Sequence, residues 1–193
     1  LGIYGVGDAL VPCAEVEETA VSNKTMSFDE YLDCRTLDFL VKVFIDNDQF
    51  REVFGVVRKL GLSAVDILLE MRQTHIPKYP ALVSLLDEFV TRTKSPMYNS
   101  LKELDAVLAK ENYIQNLIAG NYDQNEMLTC RLMAFRDHFH DLALVLRDSV
   151  LSYLMEKQVL TENIKSYVID AVKFCETRRF DFIDFSKPRE GQF

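Results

Sequence analysis

Residues 27–46, SFDEYLDCRTLDFLVKVFID, constrain this chain more than any other stretch. Ser27 can accept a hydrogen bond from a backbone N–H of the first helical turn that would otherwise have no partner. Glu30, three residues on, completes a Ser-x-x-Glu capping box. Asp29 and Glu30 also put negative charge at the positive end of the helix dipole. Beyond the cap, Phe28, Tyr31, Leu32, Leu37, Phe39, Leu40, Val41, Val43, Phe44 and Ile45 cover more than one stripe of a helical cylinder. Such a helix must be enclosed on several sides, so the spacing predicts a central scaffold element. Asp29, Asp33 and Thr36 form its one clean polar line.

The rest of the sequence supplies partners for that helix. Phe50, Val53, Phe54, Val57 and Leu60 predict a helix over 48–60, capped by Asn47 or Asp48 and closed by Gly61. Ser63 opens a third, with Val65, Leu68, Leu69 and Arg72 in sequence, ending before Pro77. Pro80 suits the first turn of a fourth, whose core face is Leu82, Leu85, Leu86, Phe89 and Val90; Ser95-Pro96 ends it. A fifth lies near 98–112, with 113–119 continuing it or forming a short helix. From 123 to 157 the helical period runs through Leu128, Leu132, Phe135, Phe139, Leu142, Leu146, Val150 and Tyr153 without Gly or Pro, predicting one rod about 50 Å long. A last helix follows Thr161. No repeat of 20–50 residues is present, which argues against a regular solenoid.

The expected fold is therefore all-α: a multi-helix bundle of about seven or eight helices around a buried helix near 27–46 and a long helix near 123–157. A short non-helical leader precedes it. Residues 1–22 hold three of the seven glycines together with β-branched residues, favouring one or two extended pieces. With Leu rather than Met at position 1, we expect a fragment of a longer protein, with residues 1–22 an extended leader that is either the last strand or exit loop of a removed domain or a segment that packs nowhere, and 23–193 a helical domain. The Phe-rich tail, with Phe180, Phe182 and Phe185, is expected to form a lid or a docking face.

Composition removes several function classes. A net charge of −8 argues against a nucleic-acid groove or an anionic membrane surface. No apolar run reaches membrane-spanning length, and no signal peptide is visible. Cys13, Cys34, Cys130 and Cys175 have no close-spaced neighbours, so zinc and iron–sulfur ligation by this chain is not expected. The last three fall in helical patterns and read as reduced, apolar residues, consistent with a cytoplasmic location. His138 and His140 are two apart on a helix, point to different sides, and read as solvated; His75 reads as a surface residue. Glu15, Glu17 and Glu18 form an acidic cluster suited to acid–base work or cation binding, or simply solvated. Arg35 shares a helix face with Tyr31 and needs an anionic partner: Asp38, the leader, or a ligand. No P-loop, dinucleotide fingerprint or GxSxG elbow occurs.

One pattern points further. Glu17, Glu18, Thr19, Ser22, Thr25, Met26, Ser27, Tyr31 and Arg35, followed by Phe-Leu-Val-x-Val-Phe over Phe39 to Phe44, resemble the junction after the catalytic barrel in cobalamin-dependent radical S-adenosylmethionine (radical SAM) enzymes. The resemblance covers roughly residues 14–60. It implies that residues 1–22 are the end of a removed catalytic barrel and that 23–193 are a C-terminal helical accessory domain, which packs beside the upstream catalytic domain of the same chain, its principal partner, and shapes the substrate side. A 4Fe–4S cluster, S-adenosylmethionine and cobalamin would belong to the parent protein. The cluster motif Cys-x-x-x-Cys-x-x-Cys is absent here, so no catalytic, cofactor-binding or metal-binding residue is carried over. Glu17, Thr25, Tyr31 and Arg35 are the expected contacts to the barrel or substrate. The resemblance leaves room for oligomer formation through the leader or tail. Two rival readings are a stand-alone helical interaction module and a small α-helical hydrolase or metalloenzyme built on the acidic cluster and the histidines.

Overall fold

The computed structural model describes residues 2–7, 9–13, 16–110, 112–119 and 125–178. Among them, two short strands, β1 (Gly2–Val6) and β2 (Ala9–Cys13), precede nine α-helices. The strands form an antiparallel hairpin with Gly2 opposite Cys13 and Val6 opposite Ala9. Gly7, at φ +60°, supplies the left-handed conformation that a two-residue hairpin turn requires. The extended pieces expected in the leader thus pair with each other. The Phe-rich tail and Glu15 lie outside the described residues.

Helix α1 (Phe28–Phe44) begins with both halves of the capping box: Ser27 Oγ accepts from the Glu30 amide, and Glu30 accepts from the Ser27 amide at 2.7 Å. Leu32, Phe39, Leu40, Val43 and Phe44 are buried. Phe39 stacks on Phe89, with ring centroids 4.6 Å apart. Thr36 departs from the expected polar line: it is buried, and its hydroxyl donates to the Leu32 carbonyl. The central-rod expectation otherwise holds.

Helix α2 (Arg51–Lys59) starts later than its pattern suggests, with Phe50 at the cap and no capping side chain. Asn47 instead turns back, and its amide donates to the carbonyls of Lys42 and Val43 at the end of α1. Phe50 is thereby fully buried between Phe44 and Phe139. Helix α3 (Ala64–Glu70) is capped by Ser63 as expected. Its core residues are Ile67 and Leu68, followed by Met71, whereas Val65 and Leu69 face solvent. The chain then widens into a π-helical turn, Met71–His75, and tightens into a 3-10 turn, Ile76–Lys78, before α4 (Pro80–Lys94) begins on its proline. The short helices α5 (Leu101–Leu108) and α6 (Tyr113–Ile118) follow.

The long rod is two helices. Helix α7 (Glu126–Asp137) and α8 (Phe139–Glu156) meet at His138, whose backbone, at φ −123° and ψ 15°, leaves the helical region. The break lets the two halves pack on different neighbours: α7 lies against α1 and α4, and α8 lies against α3, the π-helical turn and α9 (Glu162–Arg178). The side-chain period continues across the break because only one residue departs. One hydrophobic core joins α1–α4 with α7–α9. Among the described residues, no helix is long and apolar enough to cross a membrane.

Candidate functional site

The turn before α1 is built by Asn23. Its side-chain oxygen accepts from the amides of Thr25 and Met26 and from the Thr25 hydroxyl at 2.8–3.0 Å, while its own amide donates to the Met26 carbonyl. This turn brings the leader back over the first turns of α1. Between them lies a groove of about 700 Å³, lined by Glu17, Glu18 and Thr19 of the leader, Tyr31 of α1, Met97 of the α4–α5 connection and Leu104 of α5. Tyr31 stacks on Phe28, with centroids 6.1 Å apart. Glu17 and Glu18 are exposed, and their carboxylates make no ion pair or hydrogen bond among the described residues.

Of the four expected contact residues, Glu17 and Tyr31 line the groove. Thr25 sits in the supporting turn. Arg35 is directed elsewhere: Nη1 bonds Asp38 at 3.2 Å, and Nη2 bonds Glu126 at 2.6 Å in the first turn of α7. Asp38 is the partner the spacing suggests; Glu126 is 91 positions away, and nothing local in the sequence points to it. Arg35 therefore ties α1 to α7. Its Nε is buried without a hydrogen-bond partner among the described residues.

A second polar group, missed in the sequence, lies between α8 and the segment from α3 to the start of α4. Tyr153 donates to Asp66 at 3.1 Å, Ser152 to Glu70 at 2.9 Å, and Tyr79 to Asp148 at 2.8 Å. Burial and the Asp148 carboxylate push the Tyr79 phenol up to about 12. Tyr153 is raised for the same two kinds of reason, burial first and Asp66 second. His75, expected at the surface, is buried in the π-helical turn beside this row. Glu70, partly exposed and five residues earlier, lies 3.5 Å from its Nε2. These contacts join helices, and no nucleophile–base pair emerges among the described residues: Ser152 bonds the carboxylate, not the imidazole.

The hydrolase or metalloenzyme geometry does not form among the described residues. None of the histidines lines the groove with Glu17 and Glu18. His140 pairs with Glu176 of α9 at 2.6 Å. No group of three metal-ligating side chains converges among the described residues. Cys34 is exposed, contrary to its apolar reading, while Cys130 and Cys175 are buried. Burial, with the nearby Glu52 carboxylate, pushes the Cys175 thiol up to about 11.

No protein-family model matches the chain, and no curated protein or solved structure matches it either.

Proposed function

We propose that this chain is the helical region following the barrel of a cobalamin-dependent-type radical SAM enzyme, and that it acts as an accessory domain. It has no autonomous chemistry in this reading. It seats against the barrel through the leader side of α1 and borders the substrate side of the active site, while the 4Fe–4S cluster, S-adenosylmethionine and cobalamin belong to the upstream domain. The observation that carries the reading is spatial. Glu17, Glu18, Thr19 and Tyr31, all members of the junction pattern, line one groove, and Thr25, Met26 and Ser27 form the turn and cap that join the leader to α1. The test is the coding sequence upstream of Leu1. A Cys-x-x-x-Cys-x-x-Cys triad earlier in the same reading frame is the expected result, and a frame without one overturns the reading. Iron and sulfide added to the purified chain should give no brown chromophore.

A second reading, a stand-alone helical interaction module, is favoured by Tyr167 and Phe174. These lie seven apart on α9 and are about half exposed. It predicts no cysteine triad upstream and a partner that raises the unfolding temperature.

A further inference from the structure

No further inference is drawn: the strongest candidate, the outer edge of β1 in the N-terminal hairpin, which has no third strand beside it among the described residues, carries nothing because nothing in the structure shows what covers it.

Discussion

His75 Nε2 lies 3.5 Å from Glu70 Oε1, yet it is buried and makes no hydrogen bond among the described residues. The carboxylate oxygen is engaged by Ser152 Oγ at 2.9 Å instead. A buried polar atom without a partner costs desolvation free energy that nothing returns, whereas the Ser152 bond contributes. The two residues should therefore respond oppositely. Ser152→Ala should lose about 1 kcal/mol. His75→Met, similar in volume, should lose nothing or gain up to about 1 kcal/mol. Urea unfolding midpoints check both. A larger loss in His75→Met than in Ser152→Ala would show that the imidazole has a partner in solution.

The α1 cap gives a second prediction. Ser27 Oγ holds the Glu30 amide, and Glu30 holds the Ser27 amide. Ser27→Ala should cost about 1 kcal/mol, and Ser27→Gly only a few tenths, because glycine leaves the amide open to water. Equal losses in thermal unfolding would mean that the box contributes nothing.

The end of α9 is fixed to α2 by Arg178, which grips both Glu52 carboxylate oxygens at 2.7 and 3.0 Å and the Gln49 carbonyl at 2.9 Å. Burial alone would raise the Glu52 carboxyl; hydrogen bonds from Arg51 and Arg178 outweigh it and hold the group below its ordinary value. A lowered carboxylate contributes stability above its unfolded value, about 4.3, and loses it as pH falls through the folded value. Glu52→Gln should therefore cost about 1 kcal/mol near pH 7, allowing for partial exposure. Its deficit should shrink toward zero in acid. Urea titrations from pH 7 to 3 measure this, and a constant deficit contradicts it.

Thiol reactivity separates the cysteines. In a Cys13→Ser background, Ellman's reagent at pH 8 should modify Cys34 rapidly, and Cys130 and Cys175 only as the protein unfolds, since Cys34 alone of the three is exposed. The Cys175 thiol, pushed up to about 11, favours the folded state fully below the unfolded thiol value of about 8.5. That contribution disappears as pH climbs toward 11. Cys175→Ala should flatten the alkaline decline in stability, and an unchanged decline counts against the assignment.

Much of the helical layout was legible in the sequence because it depends on local rules. The Ser27, Ser63 and Pro80 starts and the burial of α1 follow from capping chemistry and apolar spacing within a turn or two. The misreadings share a cause. Asn47 has the right chemistry to open α2, but the unsatisfied carbonyls of α1 were nearer. His138 carries no breaker signal, and the rod parts there because α7 and α8 pack on different helices. Half of the groove was visible as a pattern, in Glu17, Glu18, Thr19 and Tyr31. Its other side, Met97 and Leu104, carries only ordinary core and loop residues.

The amino-acid order by itself determined that this chain folds as a helical bundle about a buried helix that begins at Ser27. A cap, a dipole and an apolar period act within a few residues and need no knowledge of the rest. Tertiary structure alone decided that Arg35 meets Glu126, that His75 turns inward, and that leader and α5 enclose one groove. Each of these joins positions far apart in the chain, and what brings them together is the packing of whole helices, which no short window of residues encodes.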